Sequence, residues 1–510
     1  MKTSLPHVAA YWDNTVAKLP NATAAICEGQ RLSYREADTL VARVAGHLAD
    51  VARVRHGDRV CLALPNCLEF LLAYWATLRL GAIVAPVNTR LRADELQYVL
   101  RNCDPRAVLV HGQTALAVTA ALQAESLQPH LLGVETDAEL GAVPFTFALN
   151  HPAPRGTTAI ASDDLAVILH TSGTTGLPKG AMMRHEDLRF NVAQAILAHS
   201  FRHEDLHLLA IPCFAPTAAY SLLPSSAYLG SGLVIAPRPQ ASELLALIAA
   251  QRCTTFIGVP TLFHLVLQDG RLGEMDLSSL RLIAYSGSPM PPRTIQELRR
   301  HFPGVALHNF FGLTETISIT HVLPSCDAVD HADSIGKLLP EVHARIVDET
   351  GQEMAVGEVG ELCLRSDCVI PGYWNRPGLL EESIRDGWFH TGDLASVDTD
   401  GYYYVQGRKK EMIIVAGQNV YAPEVERVIL THGGVLEAAV VGVPATGVRA
   451  ALGELVKAVV VLRPGAEVQQ QDIKRHCAAV LPSYKVPQVV EFRSELPRNA
   501  AGKVLKRELV

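Results

Sequence analysis

Apolar positions along the first three hundred residues or so alternate between two textures. Short runs with continuous apolar centres, such as DRVCLALPN (58–66), AIVAPVN (82–88), TTFIGVP (254–260) and RLIAYSG (281–287), read as buried strands. Between them lie longer segments with apolar residues at helical spacing: CLEFLLAYWATLRLG (67–81), closed by Gly81, ASELLALIAAQRC (241–253) and PRTIQELRRHF (292–302). Strand, helix and strand joined by short connections predict parallel sheets covered by helices. From about Ser334 the pattern changes. HARIVDETGQEM (343–354), GELCLRSDCVI (360–370) and YYYVQGRKK (402–410) predict strands parted by Gly and Asp turns, a small antiparallel region. The last hundred residues alternate again, through APEVERVILTH (422–432), VLEAAVVGVP (435–444), LVKAVVVLRPG (455–465) and QDIKRHCAAVL (471–481), and predict a compact α+β unit.

The fold class expected is therefore α/β. A large N-terminal domain, 1–407, combines helix-covered, mostly parallel sheets with the small antiparallel region. A hinge and a small, mobile α+β C-terminal domain, 408–510, follow the charged stretch QGRKKEM. The length of 510 residues fits this division, since it exceeds what one hydrophobic core serves.

Composition narrows the class only a little. With 48% hydrophobic and 19% charged residues the chain is an ordinary globular protein, and a net charge of −7 spread over both signs gives no reason to expect nucleic acid as a partner. Ten cysteines without a CxxC pair or an accompanying histidine cluster predict reduced thiols in a cytoplasmic protein. The N-terminus lacks the apolar core of a secretory signal, and no apolar run approaches the ~18 residues of a membrane span. A homodimer is compatible with all of this.

Chemistry enters at HTSGTTGLPKGAM (170–182). Glycines let backbone N–H groups approach an anion, hydroxyls donate further hydrogen bonds, and a lysine adds charge, which together describe a phosphate cradle. It is not the common P-loop, because Pro178 stands where that loop needs glycine before its lysine.

Further stretches in fixed order, NFFGLTET (309–316), WFHTGDLASVDTDGYYYVQGRKKEMIIVAGQNVYAPEVE (388–426) and LPRNAAGKVLKREL (496–509), together with LSYREADTL (32–40) and the block at 57–88, closely resemble the adenylate-forming enzymes. That superfamily comprises acyl-CoA synthetases, adenylation domains and beetle luciferase, and the resemblance covers nearly the whole chain. It implies ATP, Mg²⁺ and CoA as cofactors and a small carboxylic acid as substrate. The acid is first joined to AMP and then passed to a thiol. The alternative acceptor is a carrier-protein phosphopantetheine or another nucleophile.

The same resemblance implies residue roles. Thr171, Ser172, Gly173, Thr174, Thr175, Gly176 and Lys179 would wrap the β- and γ-phosphates. Glu315 would ligate Mg²⁺, a hard cation that takes oxygen ligands, and Thr314 would donate to a phosphate oxygen. Gly287, Ser288 and Pro289 match an adenine-side turn. Phe311, where the family usually has tyrosine, would stack on adenine beside Phe310 and Gly312, and Asn309 would accept from its amine. Asp393 matches the ribose-binding aspartate and Arg408 the arginine that follows it. Lys410 falls at the hinge, and Lys503 matches the lysine that neutralises charge on the carboxylate and α-phosphate. Gly417 would lie along the pantetheine tunnel, with Ala416 where a second glycine is common. Lys506 and Arg507 receive no role.

One block departs from the family. IPCFAPTAAY (211–220) carries Ala215 where many acyl-CoA synthetases have histidine. Ala215, Pro216 and Thr217 offer no charge to pair an α-ammonium, and an unpaired buried ammonium is costly. Together with Phe310, Ile317 and Ser318 they predict a pocket for an aromatic or medium-length aliphatic monocarboxylate.

Overall fold

The computed structural model describes residues 5–137, 140–154, 156, 158–171, 177–288, 290–317, 319–445, 453–498 and 504–510. Of the candidate residues, Ser172, Gly173, Thr174, Thr175, Gly176, Pro289, Ser318 and Lys503 lie outside these. The chain forms two compact units, Met1–His343 with Arg365–Glu382, and Ala344–Leu364 with Ser383–Val510.

The first unit is built on two large sheets, as the alternation predicts. In one, Arg59–Ala63, Ile83–Pro86, Ala107–His111, His130–Val134, Val143–Pro144 and Leu165–Thr171 run parallel, and Lys179–Arg184 adds an antiparallel edge. The helix Leu68–Arg79 crosses between the first two of these strands and is buried almost all round. It stops at Gly81, whose φ of +66° is open to glycine and whose missing Cβ leaves room for His56. In the other sheet the parallel core runs in the order Ala306–Phe311, Leu282–Tyr285, Thr255–Gly258, Leu206–Leu209, Gly232–Ile235 and Thr23–Cys27. Antiparallel strands His321–Leu323 and Gln30–Ser33 flank it. The core beneath joins Val234, Phe256, Phe263, Ile283, Ile295, Leu298 and Leu307.

The second unit holds the antiparallel region. Trp388–Val397 pairs antiparallel with Gly360–Arg365, Ile384–Arg385 and Tyr403–Arg408. A three-stranded sheet of Val435–Pro444, Glu454–Leu462 and Val489–Phe492 packs through Val440, Val456 and Val460 on Val425, Ile429, Ile473 and Cys477 of the helices Ala422–Leu430 and Gln470–Ala478. By packing, the antiparallel strands therefore group with the C-terminal segment. The packing units do not divide at 407/408.

The hairpin Ile413–Val415/Gln418–Val420 closes through Ala416 and Gly417, with φ of +50° and +79°. Two-residue hairpin loops of this kind need left-handed backbone at both positions. Gly417 meets that demand, and no atom lies within 4 Å of where its Cβ would stand, so here backbone conformation rather than crowding calls for glycine. Ala416 is strained. Ala416→Gly is expected to stabilise the protein by about 0.5–1 kcal/mol, the relieved strain less the extra entropy that glycine loses. Urea unfolding measures this, and an unchanged or lowered midpoint would contradict it.

Candidate active site

Open parallel sheets place ligands beyond the carboxyl ends of their strands. In the nine-stranded sheet of the first unit, three candidate segments leave parallel strands at that end, two of them adjacent and the third one strand further on, beyond Thr255–Gly258. Gly287 and Ser288 follow Leu282–Tyr285, Gly312 to Glu315 follow Ala306–Phe311, and Ala215 to Thr217 come after Leu206–Leu209. Gly287 turns with φ of +88°.

Strand alternation separates the aromatic pair. Asn309 and Phe311 share one side of their strand and Phe310 takes the other, buried in an edge-to-face contact with His199 at 4.9 Å between ring centres. The Phe311 ring meets His321 edge-on at 5.7 Å. The Asn309 amide nitrogen donates to the Ser334 carbonyl at 2.8 Å, which fixes the amide and leaves its oxygen as the acceptor, the role expected toward an adenine amine.

Thr314 and Glu315 sit on a single 3₁₀ turn, Thr314–Thr316, stapled where the Leu313 N–H donates to the Thr316 hydroxyl at 2.9 Å. The turn ends at Ile317, fully buried with φ of +53°. That conformation is rare for a β-branched residue, and such strain gathers at functional sites.

Thr171 and Lys179 stand opposite each other at the open end of the antiparallel pair Leu165–Thr171/Lys179–Arg184. The cradle segment thus joins two strands, unlike the strand-to-helix turn of a P-loop. His170 beside it is partly buried, and desolvation lowers its pKa to about 4, so the neutral ring meets the Asn102 side-chain oxygen at 2.9 Å.

A residue without a signal in the sequence completes this corner. The Tyr373 hydroxyl donates to Glu315 Oε1 at 2.7 Å, and the Lys179 ammonium lies 5.1 Å from the centre of its ring. Burial, and then the Glu315 charge, hold the phenol pKa well above its usual value, so the group stays a donor. Only contacts distant in sequence reveal it.

The acyl block forms an irregular helix entry. Pro216 has helical backbone and Thr217–Leu222 is a π-helical turn, a form frequent at functional sites. Asn191 donates to the Tyr220 carbonyl at 2.9 Å and Tyr74 to the Ala219 carbonyl at 2.7 Å, which fix the turn from both sides. The Tyr220 hydroxyl is buried and has no hydrogen-bond partner among the described residues.

In the second unit Asp393 and Arg408 face each other across paired strands, with Arg408 Nε 2.8 Å from Asp393 Oδ1. Arg408 also donates to the Thr391 carbonyl at 3.0 Å. Glu361 gathers the next layer. It lies 3.2 Å from both Lys409 Nζ and His390 Nδ1, and accepts from the Gly392 N–H. Burial pushes its carboxyl up, but the His390 and Lys409 contacts outweigh it and hold the pKa below the usual value. Cys363 beside His390 is inert, because burial raises its pKa to about 12. Lys410 is exposed in the turn Lys409–Glu411. Lys506 is anchored by Glu426 at 2.8 Å and Glu411 at 3.7 Å, contacts that the local sequence does not announce.

The donor set suits a metal carried by a nucleotide. Glu315 offers one carboxylate whose second oxygen is left beside the Tyr373 bond. Among the described residues no group of three or more His, Cys, Asp and Glu gathers to hold an ion alone. Mg²⁺ is commonly bound by one or two carboxylates together with phosphate oxygens and water. No helix among the described residues is long and apolar enough to cross a membrane.

Family models and proteins of known activity match this chain over most of its length. The family model described as AMP-binding enzyme matches residues 12–374, and that of the AMP-binding enzyme C-terminal domain matches 424–503. A long-chain-fatty-acid–CoA ligase of Salmonella typhimurium is 32% identical over 530 residues, covering 98% of this chain and 93% of its own. A feruloyl-CoA synthase of Amycolatopsis is 33% identical over 490 residues, 96% of each chain. Among solved structures, an anthranilate CoA ligase in complex with anthranoyl-AMP superposes with a TM-score of 0.90 at 26% identity, covering 99% of this chain and 96% of that one.

Proposed function

The chain belongs to the AMP-binding enzymes and is an ATP-dependent, AMP-forming acid–CoA ligase, and on that premise we propose that its acid is an aromatic or medium-chain aliphatic monocarboxylate. CoA is the acceptor that the relatives support, rather than the carrier-protein arm that the sequence leaves open.

The reaction has two parts. The acid's carboxylate oxygen bonds to the α-phosphorus of ATP as the bond to pyrophosphate breaks. The CoA sulfur then bonds to the acyl carbon, AMP departs, and the thiol proton goes to solvent. A carboxyl with a pKa near ~4 is already ionised at neutral pH, so the first part needs no general base. It needs positioning and charge stabilisation. In our reading, Thr171, Lys179 and the segment between them hold the outer phosphates, Thr314 donates to a phosphate oxygen, and Lys503 neutralises charge at the α-phosphate. Asn309, Phe311 and the Gly287 turn take adenine, while Asp393 and Arg408 take ribose. Glu315 would hold Mg²⁺, which when bound neutralises charge on the phosphates. The ten unpaired cysteines suit a reducing compartment such as the cytoplasm.

The observation that carries the choice of acid is the uncharged block at Ala215, Pro216 and Thr217, set against the π-helical turn with its buried Tyr220 hydroxyl. Apolar walls with one polar group suit an aryl or alkyl body, and nothing in that block pairs an ammonium. ATP–pyrophosphate exchange over benzoate, 2-aminobenzoate, hydroxycinnamate, octanoate, palmitate, alanine and phenylalanine tests the choice. Aryl or medium-chain acids are expected to support exchange and the amino acids to fail. Alanine or phenylalanine as the better substrate would overturn the pocket reading, and palmitate as the best would overturn the chain length.

A further inference from the structure

Tyr373 receives no role in the sequence reading, yet it touches both charged side chains of the phosphate corner. Its backbone is clipped between them. The Ile370 N–H donates to the Glu315 carbonyl at 3.0 Å, the Met182 N–H to the Gly372 carbonyl at 3.1 Å, and the Trp374 N–H to the Gly180 carbonyl at 2.7 Å. The Trp374 indole N–H reaches the Asn102 carbonyl at 3.0 Å and locks the segment from behind. Thus Tyr373 is fixed to the strand that begins at Lys179 and to the turn that carries Glu315, and it is buried.

Two demands meet at its side chain. The hydroxyl takes Glu315 Oε1 at 2.7 Å and leaves the other carboxylate oxygen for a cation. The ring face receives the Lys179 ammonium at 5.1 Å, within cation–π range. An ammonium and a carboxylate brought close in a half-buried place attract each other. If they closed on each other, the triphosphate would meet a neutral pair. A phenol is uncharged and satisfies each partner through a different part of itself, so both charges stay available.

We propose that Tyr373 is a positioning residue that holds Glu315 and Lys179 oriented and apart, keeping the metal–phosphate corner open for ATP. The proposal rests on the reading of Glu315 as the Mg²⁺ carboxylate and Lys179 as a phosphate ligand. Groups that hydrogen-bond a metal-binding carboxylate typically change metal affinity by about 10–100-fold when removed.

Calorimetric titration of ATP with Mg²⁺, and of ATP with EDTA, into the wild type, Tyr373→Phe, Tyr373→Ala and Glu315→Gln tests this without turnover. Tyr373→Phe keeps the ring under Lys179 and loses the hydroxyl. It is expected to weaken MgATP by about tenfold or more and metal-free ATP by less than about twofold. Tyr373→Ala also removes the ring, and is expected to weaken both. Should the alanine variant not fold, the near-isosteric phenylalanine variant decides alone. MgATP affinity of Tyr373→Phe within about twofold of wild type, or an equal loss with and without Mg²⁺, overturns the proposal. Glu315→Gln separates the two levels. If it keeps the full advantage of MgATP over metal-free ATP, the metal reading of Glu315 fails and takes the proposal with it. If it loses that advantage while Tyr373→Phe does not, the proposal alone fails.

Discussion

Lys503→Ala is expected to slow acyl-adenylate formation by about two orders of magnitude or more, the usual consequence of losing a group aimed at charge that develops in the transition state. Thioester formation from supplied acyl-adenylate is expected to stay nearly unchanged. The asymmetry follows from the chemistry. Charge builds on the α-phosphoryl oxygens while the carboxylate attacks, and a lysine there is worth most in that step. In the second step the adenylate is already formed, and the thiol needs a path to the carbonyl. Quenched-flow measurement of each half-reaction checks this, and equal damage to both would contradict a role confined to the first.

Lys410→Pro is expected to show the reverse, with adenylation largely retained and thioester formation slowed by a comparable factor. One site serving two steps calls for a change of arrangement between them, and a hinge motion concentrates large φ/ψ changes in a few residues. We propose that the segment from about Lys410 onward turns as a body, withdraws Lys503 and brings Gly417 toward the thiol. Lys410 suits the hinge because it is exposed in a short 3₁₀ turn between the strands Tyr403–Arg408 and Ile413–Val415. Proline fixes φ near an angle that 3₁₀ turns use, and so blocks rotation there. A Lys410→Pro enzyme that forms thioester at the wild-type rate would remove the hinge from the mechanism.

These effects can be foreseen because much of the molecule is local in origin. The helices Leu68–Arg79 and Ala241–Gln251 and the strands around them follow from periodicity and terminators alone, and strand–helix alternation leads to the parallel sheets. The spacing of polar groups in segments such as NFFGLTET marks chemistry that a folded core has no use for. What escapes a reading of the chain is long-range or conformational. Tyr373 stands in an apolar-looking stretch, and its meaning lies in Glu315, 58 residues away. The left-handed Ile317 breaks the rule that such backbone goes to glycine, and no neighbouring residue warns of it. The π-helical turn at Thr217 depends on Asn191 and Tyr74, which grip it from other helices. The antiparallel strands around Gly360 look alike in sequence whichever unit they pack with, because that choice is made by tertiary contacts.

The most direct measurement is of the products made by the purified enzyme from ATP, Mg²⁺, CoA and the acid that performs best in the exchange panel. Chromatographic quantitation of nucleotides and thioester is expected to show AMP and acyl-CoA rising in equal amounts, with pyrophosphate exchange persisting when CoA is withheld. Release of ADP in place of AMP, or AMP that accumulates with CoA present and no thioester formed, would contradict an AMP-forming acid–CoA ligase.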